Sequence, residues 1–329
     1  MTQLAAVPSV PDTEDEQRTP VDVRRSGADR AYRLVLRCSG ALTLLLMAFI
    51  GGFLLIRARP ALHQAGWSFL TERQWVPSGG RFGILALLVG TVMIALVALV
   101  IAVPLSLGAA LFITDYAPPW LRRLLTSLVD LLAAVPSLVY GLWGRFFLQP
   151  RLIGVSRWLG THLAFVPVFK TSRPDYAAST FIAGVVVSLM ILPICTAVMR
   201  EVFSGAPPGE KEGALALGAT RWGMIRMVVL PFGKGGIIGG SMLGLGRALG
   251  ETIAVTLIIS PIFTPTVHIL EGGGNSIAAH IALRFGEADD FGLSALMAAG
   301  LALFTVTLVV NALASIVVSR SRSGAATEL

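Results

Sequence analysis

Arg247 and Glu251 stand four residues apart inside an apolar, glycine-rich segment, Gly235–Ser260. On a continuous helix that spacing puts both side chains on one face. An arginine at mid-membrane costs ~2.5–3.5 kcal/mol on insertion scales, so it is expected to face a cavity or a partner helix. Two chemistries fit the pair. The charges could neutralise each other and lock helix packing, or Arg247 could meet an anionic substrate while Glu251 orients it or balances it when the site is empty. A second polar set lies in Asp130–Gly144, where Pro136 removes one backbone hydrogen bond and should kink a helix. Ser137 and Tyr140 place hydroxyls near that kink. They could line a polar path or simply join neighbouring helices. Asp130 reads as an interfacial or paired carboxylate.

Several familiar chemistries have no parts here. A Walker A loop needs Gly-x4-Gly-Lys followed by Ser or Thr. Lys211 is followed by Glu212, Lys234 by Gly235, and Lys170-Thr171 follows Phe169. The chain therefore carries no ATPase site of its own, and no catalytic residue is assigned. The four histidines (His63, His162, His268 and His280) lack metal-ligand spacing, and no HExxH or GxSxG is present. Cys38 and Cys195 form no CxxC pair. No metal or directly bound cofactor is expected.

The elements that must position these residues are membrane helices. Of 329 residues, 54% are hydrophobic and only 14% are charged, against roughly 25% charged in soluble domains. A basic balance in so apolar a chain points to the flanks of membrane spans, with no nucleic acid partner. A span needs roughly 20 apolar residues. Six runs qualify: Cys38–Ile56; Phe82–Val103, closed by Pro104; Leu124–Phe147; Ser179–Met199; Gly235–Ser260; and Phe291–Val318. Gly236, Gly240 and Gly244 recur every four residues, the spacing that lets helices approach closely. Residues 1–33 read as a solvated cytoplasmic tail without the apolar core of a signal peptide, and residues 319–329 as a second tail. With both termini in the cytoplasm, 15 Lys or Arg fall on inside segments and 9 on outside ones. Leu148–Ala178 is then the longest outside loop.

The loop after the fourth run adds a motif. Glu212-x-Ala214-x3-Gly218-x9-Val228-x-Leu230-Pro231 is a short helix of small residues, a break at Gly218, and an amphipathic piece ending at Leu230-Pro231. It resembles the EAA loop of ABC importer permeases, departing from it mildly at Gly213, where Ala is usual, and at Val228, where Ile is common. Gly246-Arg247-Ala248-Leu249-Gly250-Glu251-Thr252 and Pro136-Ser137-Leu138-Val139-Tyr140-Gly141 narrow the likeness. They resemble the PstC-type permease of phosphate-specific ABC importers, with the compatible region running from about Leu34 to Val318.

That resemblance implies an all-α integral membrane protein, a six-transmembrane-helix bundle of the MetI-like permease type in a bacterial cell membrane. It implies a homologous second permease, two ATPase subunits that use the ATP, and an extracytoplasmic phosphate-binding protein as partners in the lipid bilayer. Glu212, Gly213, Ala214, Gly218, Leu230 and Pro231 would form the ATPase coupling segment. Arg247, Glu251, Ser137 and Tyr140 would line the substrate path. Two other readings stand beside it: a permease for another oxyanion such as sulfate or molybdate, and a membrane scaffold or sensor in which the Arg247–Glu251 pair is structural.

Overall fold

The computed structural model describes residues 27–173 and 175–321. Most of the expected amino-terminal tail and of the carboxyl-terminal tail therefore lies outside the described residues. The chain divides into two units, Met1–Ile50 and Gly51–Leu329. The described part of the first is the opening of a long helix, α1 (Gly27–Ala65). That helix takes in residues 27–33, which the sequence assigns to the tail.

The second unit is helical apart from one small hairpin. After the end of α1 come a one-turn helix, α2 (Ser68–Thr71), and two antiparallel two-residue strands, β1 (Trp75–Val76) and β2 (Arg81–Phe82). Then follow α3 (Leu85–Leu111), α4 (Pro119–Ala133), α5 (Ser137–Trp143), α6 (Gln149–His162), α7 (Thr180–Ser204), α8 (Pro208–Ala216), α9 (Arg221–Met224), α10 (Leu230–Leu249), α11 (Ile253–Ile258), α12 (Ile277–Arg284) and α13 (Asp290–Ser321). Five helical stretches among the described residues are long and apolar enough to cross a membrane, and a bent pair supplies a sixth candidate. The protein is an all-α, multi-pass membrane bundle. In lipid every backbone polar group needs an internal partner, which selects helices.

α7 is the centre of the bundle. Its residues Ile182, Ala183, Val186, Val187 and Ile191 are buried against Ile94, Ala95, Ala98 and Ala102 of α3. On another side it meets the glycine ridge of α10. A Cβ on Gly236 would lie 2.5 Å from the Val202 Cβ, and one on Gly244 2.6 Å from the Cys195 Sγ. The Cys195 thiol donates to the Gly240 carbonyl at 3.2 Å. A second cluster joins Ala58 and Ala61 of α1, Phe69, Phe82, Leu87 of α3, Ile277 of α12, and Ala295, Ala298 and Ala299 of α13.

Three expected spans differ from the observed helices. α3 runs through Pro104 and continues into a π-helical turn, Phe112–Tyr116, so the proline does not close it. A chain that has already turned helical loses one hydrogen bond at proline, and the buried flank of α3 holds the helix together across that gap. The run Leu124–Phe147 is not one kinked helix. α4 and the helical stretch Ser137–His162 meet at 91°, with the break at Ala134–Pro136. Residues 149–162, expected in an outside loop, belong to that second stretch as α6. Finally, Gly235–Ser260 is interrupted after Leu249, and α11 begins afresh at Ile253.

The segment 261–276 folds back on the bundle. Ile277 N–H donates to the Thr91 hydroxyl of α3 at 3.0 Å. His280 is fully buried between the edges of Trp75 and Phe263, with ring centroids at 4.5 and 5.4 Å. Burial pushes its imidazole down to about 4, so it is neutral at physiological pH. A Cβ on Gly90 would sit 1.9 Å from the Asn275 carbonyl oxygen, so this contact admits no side chain. Gly90→Ala is expected to cost about 1–3 kcal/mol by overpacking and to lower the thermal midpoint of the purified protein in detergent. Gly213→Ala, with open space around the added methyl, is expected to raise the midpoint, by up to ~1 kcal/mol in helix propensity. An unchanged midpoint in Gly90→Ala would mean that the segment does not seat on α3.

Candidate functional site

Two helix breaks lie side by side in the bundle and hold the polar residues. The first is at Pro136. Proline donates no N–H and disfavours helical geometry at Val135, so carbonyls at the end of α4 lose partners. The Tyr140 hydroxyl donates to the Leu132 carbonyl at 2.9 Å, closing the bend from its far side. Ser137 is the first residue of α5 and half-buried, and its hydroxyl makes no hydrogen bond to another described residue.

The second break is Gly250–Thr252. Glu251 is buried, 8% exposed, and its Oε1 accepts from the Ala254 N–H at 3.1 Å. It caps α11. The Thr252 hydroxyl donates to the Gly250 carbonyl. At the other end of α11, Arg145 Nη1 donates to the carbonyls of Leu257 and Ile258 at 3.3 and 3.5 Å. α5 docks directly on this short helix. A Cβ on Gly141 would lie 2.9 Å from the Ala254 Cα and 2.8 Å from the Leu257 Cδ1. The residue whose amide Glu251 caps is thus the one against which α5 rests.

Arg247 sits in the last turn of α10 with its side chain exposed. It lines a recess of about 310 Å³ with Ile194, Met242, Leu243, Gly246 and Asn311. The expected Arg247–Glu251 pair does not form: no ion pair joins them among the described residues. The i to i+4 relation presumes one helix, and the helix stops between them. Glu251 is joined to α5 through Ala254, Tyr140 and Ser137 lie one turn apart on α5, and Arg247 stands apart from them at the end of α10. Two residues were missed by sequence reasoning. Asn311, a lone carboxamide in the last apolar run, was a visible signal. Arg145, near the end of the third apolar run, closes α11.

The segment after α7 is a second site. α8 carries Lys211, whose Nζ donates to Asp115 Oδ1 at 3.0 Å, and the Thr114 hydroxyl donates to the other Asp115 oxygen at 2.8 Å. Asp115 is 6% exposed in this pair. Ala214 packs against a buried cluster that includes Met224, Ile225 and Val229. Gly218 turns the chain at φ +87°, a conformation that favours glycine. Thr220 caps α9 by accepting from the Gly223 N–H at 3.1 Å. Glu212, Gly213 and Leu217 face outward, Leu217 with 92% of its surface exposed. Leu230 and Pro231 do not end an amphipathic piece. They lie where the π-helical turn Ile225–Val229 passes into α10, and the helix runs on through them. Asp130 pairs with Arg200 at 3.8 Å.

The profile of the binding-protein-dependent transport system inner membrane components matches residues 102–323, which include both sites. The chain belongs to that family. It is 42% identical over 302 residues to the phosphate transport system permease protein PstC 2 of Mycobacterium tuberculosis, covering 89% of this chain and 93% of the relative. It is 39% identical over 302 residues to the phosphate transport system permease protein PstC of Xylella fastidiosa, covering 91% and 93%. A crystal structure of a bacterial ABC transporter involved in alginate import shares the fold, with a TM-score of 0.54, 20% identity, and coverage of 88% of this chain and 99% of that one.

In the family's frame the Lys211–Asp115 pair fastens α8 to the end of α3. Lys211→Met is expected to destabilise the purified protein by about 3 kcal/mol, because it leaves a buried carboxylate without its cation. Adding Asp115→Asn should restore part of that loss. Equal stability of the single variant and the native chain in thermal melts would remove the pair from any anchoring role.

Proposed function

We propose that this chain is the permease subunit of an ATP-driven importer of inorganic phosphate. The carrying observation is the likeness to permeases named for phosphate transport, about 40% identical along roughly nine-tenths of the chain. The geometry supports it. Arg247 is a cation that no carboxylate of the described residues pairs with, and it lines a recess together with Asn311. A guanidinium offers several N–H donors to one tetrahedral anion. In this reading Arg247 receives the phosphate, Ser137 and Tyr140 face the same path, and Glu251 shapes it by holding α11 in place.

The chain works with a homologous second permease, two ATPase subunits and an extracytoplasmic phosphate-binding protein. ATP is consumed by the ATPases, and this chain contributes no hydrolytic group. One ATPase docks on Glu212, Gly213 and Ala214 up to the turn at Gly218, and Leu230-Pro231 passes its motion into α10. Both termini then lie in the cytoplasm, which agrees with the inside excess of Lys and Arg. Closure of the ATPases on ATP moves α8, and α10 carries that movement to Arg247.

Uptake of labelled phosphate by cells lacking their own high-affinity phosphate permease tests this, with the chain and its partners supplied and excess sulfate present. ATP-dependent uptake that sulfate leaves unchanged is expected, and Arg247→Gln should reduce it at least tenfold with the complex still assembled. Sulfate competition would replace the substrate with another oxyanion. Full uptake by Arg247→Gln would take Arg247 out of the path.

A further inference from the structure

A second basic recess lies at the opposite end of α10 from Arg247. It has a volume of about 280 Å³ and is lined by Ile113, Thr114, Arg122, Thr126, Arg200, Ser204 and Lys211. Four elements meet there: the π-helical turn after α3, the first two turns of α4, the last turns of α7, and α8. Its lining carries three cations and no carboxylate. Asp115 pairs with Lys211, and the largely exposed Asp130 approaches Arg200 at 3.8 Å, beyond hydrogen-bond reach. Neither carboxylate lines the recess.

The donors are only partly used. Arg122 spends Nε and Nη2 on the carbonyls of Ile113 and Thr114, at 3.0 and 2.7 Å, and its Nη1 makes no hydrogen bond to a described residue. Lys211 uses one of its three N–H groups on Asp115. Arg200 is 18% exposed, and its Nη1 is buried with no partner. The Thr126 hydroxyl makes no hydrogen bond to a described residue, whereas those of Thr114 and Ser204 are spent on their own helices or on Asp115. Arg122 has no carboxylate partner among the described residues, and Arg122, Lys211 and Arg200 each keep N–H groups that no described residue takes up.

We propose that this recess binds a phosphate group, carried either by a lipid headgroup or by free inorganic phosphate. Guanidinium and ammonium donors beside a hydroxyl match a tetrahedral oxyanion. Basic pockets between transmembrane helices near a membrane face take lipid headgroups. Free phosphate is the other source, because in our reading this face of the bundle meets the compartment into which phosphate is released. Either ligand bridges α4, α7 and α8. It therefore braces α8, the helix assigned to coupling, and its occupancy sets how freely that helix moves.

The test uses the purified full-length chain, delipidated in detergent, in an Arg247→Gln background so that the proposed transport path contributes no phosphate binding. Two probes are added separately: radiolabelled orthophosphate in equilibrium dialysis, and short-chain phosphatidylglycerol followed by native mass spectrometry. One equivalent of at least one probe is expected. Arg200→Gln should weaken binding at least tenfold. Thr126→Val, which keeps every charge, should weaken it several-fold at an unchanged thermal midpoint. Orthophosphate binding that phosphatidylglycerol does not displace assigns the free ion, and the reverse assigns the lipid. Binding of neither probe, or binding that both substitutions leave unchanged, overturns the proposal. The background substitution keeps this result separate from success or failure of the transport reading.

Discussion

A backbone polar group in hydrocarbon must find a partner within the protein, and this chain breaks two of its helices where that rule is strictest. Each break is repaired by a side chain from close by. Tyr140 takes the Leu132 carbonyl at the first. Glu251 takes the Ala254 amide at the second, and Arg145 takes the carbonyls at the far end of the short helix. The repairs interlock, because Gly141 brings α5 against Ala254 itself. They take up one amide and two carbonyls at the ends of α11. With them the bundle acquires a fixed, polar, non-helical seam, and Arg247 stands at its edge.

The same helix that ends at this seam begins at the segment we propose for coupling to an ATPase. α10 has 20 residues, about 30 Å at 1.5 Å per residue. It starts directly after the π-helical turn that follows α9 and ends two residues past Arg247. Its glycine ridge lies so close on α7 that no side chain fits between them. Such a contact resists separation and tolerates sliding or tilting as a unit, since close-packed interiors transmit displacement instead of absorbing it. A shift imposed at α8 and α9 thus has a stiff route to the guanidinium. The Lys211–Asp115 pair and the burial of Ala214 determine how much of the shift reaches α10 and how much turns α8 alone.

Composition and hydropathy made the membrane class and the five long apolar helices legible, because a span is encoded by a long apolar run. The glycine ridge was legible for the same reason, its period matching the helix. What escaped were the interruptions. Pro136 signals a kink, but the 91° bend depends on Gly141 and Gly144 docking α5 against α11 and α7, contacts between segments over a hundred or several tens of residues apart. Pro104 gives the same local signal and causes no break, since α3 is buried on both sides of it. At Gly250 the run Gly246–Val255 looks helical throughout, and only the side chain of Glu251 turning back to Ala254 shows the stop. That one hydrogen bond is also why the pairing of Arg247 with Glu251 fails although its spacing is correct.

This failure changes the electrostatics of the site. Glu251 is buried with one oxygen on a helix amide, and it makes no ion pair with Arg247. No other carboxylate of the described residues comes within ion-pair distance of Arg247. Of the residues that share its recess, Asn311 offers a dipole but no charge. In the proposed reading the compensating charge comes from outside this chain, either from the facing surface of a second permease or from the anion being carried. A permanent partner carboxylate would hold Arg247 closed to any anion, whereas water and dipoles leave it attractive and reversible. A transport step needs the second arrangement, with binding strong enough to collect the ion and weak enough to release it. In the proposed function, the use of Glu251 at the start of α11 and not in an ion pair leaves Arg247 in that state.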